Sequence, residues 1–352
     1  MVRPSRGHFY SIYPVAGPAL SAPLYLPTLL LPARWLQNPE TMVAIARIAE
    51  KFVAVALAAL CAVWMLMLLE RMVSRPWAWG LTLEGPGNGW MWLCGAAAGV
   101  AFMIRPTNAL LLPAVVVALH VRRAGIREYA RFLGPVVLAG AFTLIYNWGA
   151  FRDVFGGYPG HMDGRFGRGV AGVLISPSRG LFVYTPVALF ALAAFLPAAR
   201  DNRGKHRSLL IVAAIFAVLH TLFMAKWSIW WGGFSWGPRL LTEIAPCLVI
   251  LIAIGVPAIE QRNLRALFVT AAVYSCLIQA LGAYCYPKGR WDQSPVDINI
   301  EQTRLWDWVD NPIARTARGG LAWEPYAIVG TALTEGFPAA ARKLHEYGIN
   351  AY

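Results

Sequence analysis

The sequence predicts an all-α fold: a polytopic transmembrane helical bundle of about eight spans, with long loops and a tail on its outer face. Three observations carry this. Of 352 residues, 58% are hydrophobic and only 14% charged, where a soluble domain carries about 25% charged. Uncharged apolar runs long enough to cross a bilayer recur along the chain. Fifteen Trp and 13 Tyr suit two membrane interfaces, where amphipathic rings settle at the headgroups. A mean hydropathy of +0.51 excludes a disordered chain. The net charge is +13, but it forms no Lys-rich or Arg-rich block of the kind that binds nucleic acid.

Leu20–Leu36 is apolar but carries Pro23, Pro27, Pro32 and Arg34. It reads as a short interfacial or re-entrant segment. Phe52–Leu69 is the first span. Trp90–Ile104 and Thr107–Val121 follow as a tight hairpin joined at Arg105-Pro106, because Pro disfavours helix in the residue before it. Phe132–Trp148, Leu181–Ala199, Leu209–Ala225, Leu241–Ile259 and Ala266–Tyr284 complete the set. Interior Pro113, Pro186 and Pro246 are tolerable in membrane helices. The division is an outer-face loop with an interfacial helix over 1–51, a helical domain over 52–284 and an outer tail over 285–352. Cys61, Cys94, Cys247, Cys276 and Cys285 have neither zinc nor disulfide spacing and read as small buried apolar residues.

Orientation follows from charge. Short basic loops such as Arg122–Arg131 and Arg200–Arg207 belong in the cytoplasm. The longer Phe151–Gly180 and Lys226–Leu240 loops and the tail then face outside, and long loops on a scaffold are where binding residues collect. This arrangement also leaves Met1 outside with neither a signal peptide nor a preceding span to carry it there. The expectation is therefore a chain that starts one helix late.

The outer loop from Lys226 to Arg239 holds Trp227, Trp230, Trp231 and Trp236. Flat aromatic faces can stack on sugars or hold an isoprenoid chain, Arg can fork onto phosphate and Lys acts as a point charge. An aromatic belt with snorkelling cations is the competing reading. The Gly232-Gly233 and Gly237-Pro238 pairs favour a built loop over a mere belt. Arg239, Lys226, Arg179 and Arg105 are the candidate phosphate ligands, and Trp230, Trp231 and Trp236 the candidate sugar or prenyl contacts. Arg105 reads equally as a helix C-cap. Arg179 stands just before the helix expected at Leu181, whose N-terminus favours anions. Glu243, four residues after Arg239, would be its neighbour on an α-helix. His161 and Asp163 read as a solvated loop, not a metal site. No GxSxG, Walker A or HExxH motif occurs. No cofactor is called for, and only a divalent cation is left open.

Several stretches resemble bacterial GT-C class glycosyltransferases, the multi-span enzymes related to protein O-mannosyltransferases and aminoarabinose transferases. Gly7–Pro18 (Gly-His-Phe-Tyr-Ser-Ile-Tyr-Pro-Val-Ala-Gly-Pro) with Ala22-Pro23-Leu24-Tyr25 is similar to their first outer loop. Gly99–Asn108 (ending Arg-Pro-Thr-Asn), Ser176–Pro186, Trp230–Leu241 and Arg304–Trp308 are similar to later segments. The resemblance extends to about residue 310. It implies transfer of a sugar from a polyprenyl-phosphate donor to a glycan, lipid or protein acceptor, on the outer face of the bacterial inner membrane. Tyr10 and Tyr13 join the sugar or prenyl contacts on this basis.

In the family pattern a carboxylate soon after the first helix is the general base. Here no Asp or Glu lies between Met1 and Gln37, so no base is assigned, and nothing in their spacing promotes Asp153 or Asp163. A truncated, inactive membrane subunit and a flippase or transporter for lipid-linked glycans are the rival readings.

Overall fold

The computed structural model describes residues 2–5, 8–11, 22–74, 88–154, 162–261, 264–286 and 291–346. Tyr13 and the Phe155–His161 stretch lie outside the described residues. The body is helical. A small hairpin stands before it, β1 (Val2–Ser5) antiparallel to β2 (His8–Ser11), with Arg3 opposite Tyr10.

Over the described part of Leu20–Leu36, residues 22–36, no helix long enough to span forms. A 3-10 turn at Leu26–Leu30 and α1 (Ala33–Leu36) are separated at Pro32, and Leu29 and Leu30 are exposed. The helix that carries the first apolar run, α2, starts earlier than expected and covers Pro39–Ser74. Its start is chemically explicit. Asn38 Oδ1 accepts the Thr41 N–H at 3.0 Å, and Pro39, the first helical residue, has no N–H to satisfy. The boundary expected at residue 51 therefore falls inside a helix. Burial explains the extension: Ala44 and Ile48 pack against Ile328, Ala340, Ala341 and Leu344. These belong to two tail helices, α13 (Glu324–Thr334) and α14 (Phe337–Glu346). The tail helix before them, α12 (Pro312–Gly319), repeats the Asn-Pro device, with Asn311 Oδ1 accepting the Ala314 N–H at 2.9 Å.

The chain breaks at Arg105-Pro106 as expected, but the two helices it joins pack mainly on other helices rather than on each other. Helix α3 (Asn88–Ile104) stops at Arg105, whose backbone is extended (φ −148°, ψ 110°), and a 3-10 turn at Pro106–Leu110 leads into α4 (Leu111–Val121). Asn108 Nδ2 donates to the Ala101 carbonyl at 3.0 Å, closing the bend. Met91 and Ala98 of α3, Val115 and Leu119 of α4, and Phe132 and Val136 of α5 (Ile126–Phe151) share one core. Gly95 makes this approach possible: a Cβ there would stand 2.2 Å from the Phe132 carbonyl oxygen. Small residues at such crossings let membrane helices touch backbone to backbone.

Among the described residues, four helices are long and apolar enough to cross a membrane: Ile126–Phe151, Arg207–Lys226, Arg239–Gln261 and Arg265–Cys285. They match four of the expected spans. Met91–Ile104, Pro106–Val121 and Pro186–Phe195 are apolar but shorter. The run Leu181–Ala199 divides into α7 (Leu181–Tyr184) and 3-10 segments at Pro186–Phe195 and Pro197–Ala199. Pro186 and Pro197 each open a new segment, and Leu196, before Pro197, is extended. Pro113 and Pro246 also fall in the first turns of their helices, where the missing N–H is harmless. The interior prolines are Pro135 and Pro257.

The remaining helices are α6 (Phe166–Ile175), α8 (Arg200–Lys205), α9 (Arg207–Lys226), α10 (Ala245–Gln261) and α11 (Arg265–Cys285). Helix α9 packs against α4, α6 and α10. Large apolar side chains are exposed on α5 (Val137, Leu138, Ile145) and α11 (Leu267, Val273, Leu277), as on surfaces that face hydrocarbon. Cys61 and Cys276 lie on such exposed faces rather than in the core.

Candidate functional site

Four stretches meet at one end of the helical body. They are the bend at Arg105, the Ser176–Gly180 turn after α6, the Lys226–Arg239 loop after α9 and the segment from Trp291 onward. Contacts tie them together: Arg105 pairs with Glu243, Arg179 bonds Trp231, and Ser176 bonds Leu305.

Arg179 is 2% exposed. Its Nε donates to the Trp231 carbonyl at 3.0 Å, Nη1 to the Ser178 carbonyl at 2.8 Å and Nη2 to the Gly233 carbonyl at 3.1 Å. Nη2 also pairs with the Asp292 carboxylate. The other Asp292 oxygen accepts from the Tyr286 hydroxyl. Burial, reinforced by that carboxylate, pushes the Tyr286 hydroxyl well above the usual tyrosine range. The Trp291 ring takes both the Arg179 guanidinium, 5.7 Å from its centroid, and that of Arg304, at 4.8 Å. Ser176 and Ser178 hydroxyls both donate to the Leu305 carbonyl, at 2.6 and 3.0 Å. The loop reaches Arg179 because Gly232 and Gly233 take φ of 72° and 70°, a conformation costly for other residues. With its donors so engaged, Arg179 is a strut between loop and tail rather than an open phosphate fork.

Trp230 and Trp231 are also core residues, 5% and 4% exposed. The Trp230 ring lies on Gly172 of α6, where a Cβ would stand 2.5 Å from it, and packs on Trp231 and Trp306. Trp231 Nε1 donates to Asn299 Oδ1 at 3.1 Å. Neither indole is presented to a ligand in this conformation. Trp236 is partly buried, with its ring 5.3 Å from Tyr184 and 5.5 Å from Tyr286. Its Nε1 has no hydrogen-bond partner among the described residues. Tyr10 stands in β2.

Arg105 and Glu243 form a second ion pair. The expected partnership of Glu243 with Arg239 does not form, and helix type gives the reason. Arg239–Ile244 is a 3-10 helix. In that geometry residues three apart eclipse, and the fourth is turned away by about a third of a turn. Thr242 accordingly lies under Arg239, donating to its carbonyl at 2.8 Å, and Glu243 turns inward. Beyond Arg105 it meets His220 of α9, whose Nε2 is 3.5 Å from Oε2. Arg239 is left exposed, with no side-chain partner recorded among the described residues. Lys226 donates to the Gly164 carbonyl at 3.0 Å, while the Gly164 N–H donates to the Lys226 carbonyl at 3.2 Å. That clasp engages one of the three ammonium donors.

The sequence reasoning missed His220, Tyr286 and Asp292. His220 carried a usable signal: an ionisable residue inside an otherwise apolar span is a functional candidate by default. Asp292 carried none, since its partner is 113 positions away. Among the described residues, no group of three or more His, Cys, Asp or Glu could hold a metal ion. Comparison of the chain with protein-family models, with curated proteins and with solved structures finds no match.

Proposed function

We propose that this chain is a membrane-embedded glycosyltransferase of the GT-C type. It moves a sugar from a polyprenyl-phosphate donor to a glycan, lipid or protein acceptor on the outer face of a bacterial inner membrane. The carrying observation is Arg239, an exposed guanidinium without a described partner at the end of an apolar helical body. An Arg fork suits phosphate, and at a helix end it would meet phosphate at headgroup depth. Lys226 and the Arg105–Glu243 pair belong to the same end, and Trp236 there is only partly buried. The densely basic Arg122–Arg131 and Arg200–Arg207 segments supply the cytoplasmic end of an eight-span arrangement, with Phe52–Leu69 and the shorter apolar helices as the additional crossings.

A second reading, transport of a lipid-linked glycan, draws support from one feature: Arg105, His220 and Glu243 put ionisable groups inside the helical body. One experiment separates the two. Purified protein in vesicles is given a polyprenyl-phosphate carrying a radiolabelled sugar, together with a lysate of envelope acceptors. Label leaving the prenyl lipid for an acceptor supports transfer. Label that stays on the lipid and changes leaflet overturns it in favour of transport.

A further inference from the structure

We propose that the groove between the N-terminal segment, α2 and the tail helices is a binding site for a glycerophospholipid. One acyl chain fills the groove, and Arg34 holds the phosphate. The site needs only that the chain lies in a membrane, so it stands whether the protein transfers sugars or transports them.

Three parts of the chain build the groove. Pro27 and Leu31 come from the segment around the Leu26–Leu30 turn, Ile45 and Phe52 from α2, and Val329 and Leu333 from α13. It holds about 360 Å³, at the lower end of the range for small-ligand pockets. Its walls ask for hydrocarbon. Among the lining residues Thr28 alone is polar, and its hydroxyl proton is spent on the Tyr25 carbonyl at 2.7 Å. A cavity lined in this way stays dry and takes apolar ligands.

Its depth selects a membrane lipid over other apolar matter. The uncharged run of α2 starts at Phe52, just after Arg47, Glu50 and Lys51. The groove follows α2 from Ile45 to Val53, so it straddles the level at which headgroups give way to hydrocarbon. Leu24, Phe52 and Leu333 line it and are exposed, and Leu26, Leu29 and Leu30 extend the apolar surface beside it. The mouth therefore opens onto a surface that lipid covers. An aromatic anchor marks the same level. The Trp35 ring lies 5.8 Å from that of Phe337, a groove residue, and Trp settles at headgroup depth.

The headgroup contact follows from Arg34. It stands next to Trp35 and three residues after Leu31, exposed, with no side-chain partner recorded among the described residues. A guanidinium with free donors forks onto phosphate. A linear acyl chain suits a groove of this size better than a polyprenyl chain, which carries a methyl branch on every unit. The groove also shares no lining residue with the cluster around Arg105, Arg179 and Arg239, so it is separate from the proposed donor site.

The test titrates the purified protein in detergent with phosphatidylglycerol that carries a photoreactive acyl chain, and maps the labelled peptides by mass spectrometry. Peptides covering 22–36 and 45–53 are expected to label with saturation, and unlabelled phosphatidylglycerol to compete. Peptides of the lipid-facing α11 should label in simple proportion to the lipid added. Ala332→Phe, which fills the groove from α13, should abolish the saturable labelling and leave that of α11 unchanged. Arg34→Gln should weaken it several-fold. At that exposed position the fold is untouched, so the site stays testable if Ala332→Phe does not fold. Groove labelling that rises in proportion like that of α11, or that survives in folded Ala332→Phe, overturns the site. Displacement of the probe by unlabelled polyprenyl phosphate more readily than by phosphatidylglycerol overturns the phospholipid as occupant. Saturable labelling unchanged in Arg34→Gln overturns the headgroup contact.

Discussion

Two Arg–carboxylate pairs stand at the same end of this molecule, and they differ in how much of their hydrogen bonding is spent. In Arg179–Asp292 the guanidinium also feeds three backbone carbonyls and the carboxylate also takes a tyrosine hydroxyl. In Arg105–Glu243 one carboxylate oxygen has no hydrogen-bond partner among the described residues and lies 3.5 Å from His220 Nε2, whose other ring nitrogen is likewise unbonded. The first pair is 2% and 4% exposed, the second 32% and 13%. A saturated pair holds parts of a chain together. An unsaturated pair near the surface retains capacity for a ligand or a proton. From the sequence the two arginines looked alike, each within two residues of a proline at the edge of an apolar run. What separates them is the partner that folding brings.

The largest expected effect tests the saturated side. Arg179→Ala leaves the Asp292 charge buried without its partner, and breaking a buried pair in this way costs about 3–5 kcal/mol. Asp292→Ala should cost a similar amount by stranding Arg179. Thermal unfolding in detergent, followed by near-UV circular dichroism of the buried Trp residues, measures it. If Arg179→Ala unfolds at the wild-type midpoint yet loses phosphate binding, the distinction between the pairs collapses.

Arg239→Ala makes the opposite test. Its exposed side chain has no fold to support, so the unfolding midpoint should not move. Loss of a charge-assisted contact to phosphate is worth about 1.5–3 kcal/mol, or roughly 10- to 100-fold in affinity for polyprenyl phosphate. Titration of the variant beside wild type reads it directly. Unchanged affinity would remove Arg239 from the donor site.

Gly172→Ala sharpens the reading of Trp230 as core. The added Cβ would stand 2.5 Å from the indole ring, and overpacking of this sort costs about 1–3 kcal/mol. The unfolding midpoint should fall while the response of Trp fluorescence to polyprenyl phosphate survives. A variant as stable as wild type would mean that the ring moves freely and is available to a ligand.

How much of this was legible in the sequence follows from the range of each interaction. The helical body was readable because long uncharged runs need only hydropathy. The bend at Arg105 was readable because proline acts on its immediate neighbour. The early start of α2 was written in Asn38-Pro39-Glu40-Thr41, a cap and first turn overshadowed by the apolar run that begins at Phe52. The pairing of Glu243 was misjudged because α-helical spacing was assumed where the backbone adopts a 3-10 turn. The burial of Trp230, Trp231 and Arg179 was not readable at all. It depends on the Trp291–Trp306 segment folding back over the loop, and composition treats a tryptophan in a core and one at an interface alike.

The smallest effect concerns the exposed end of that same segment. Asp307 Oδ1 accepts the N–H groups of Val309 and Asp310, at 2.8 and 2.9 Å. These backbone donors hold its carboxyl below the usual aspartate range. The turn they form lies between Leu305, whose carbonyl anchors Ser176 and Ser178, and Asp310, whose carbonyl accepts from Trp291 Nε1 at 2.7 Å. A carboxyl lowered on folding contributes stability that is complete above its unfolded pKa and is lost as pH falls through the lower folded value. Asp307→Ala should therefore melt slightly below wild type at neutral pH, and the gap should close in acid. If the gap persists below the folded pKa, the turn is held by something other than the ionised carboxylate. In that case the saturated side of the comparison would not depend on this surface clasp.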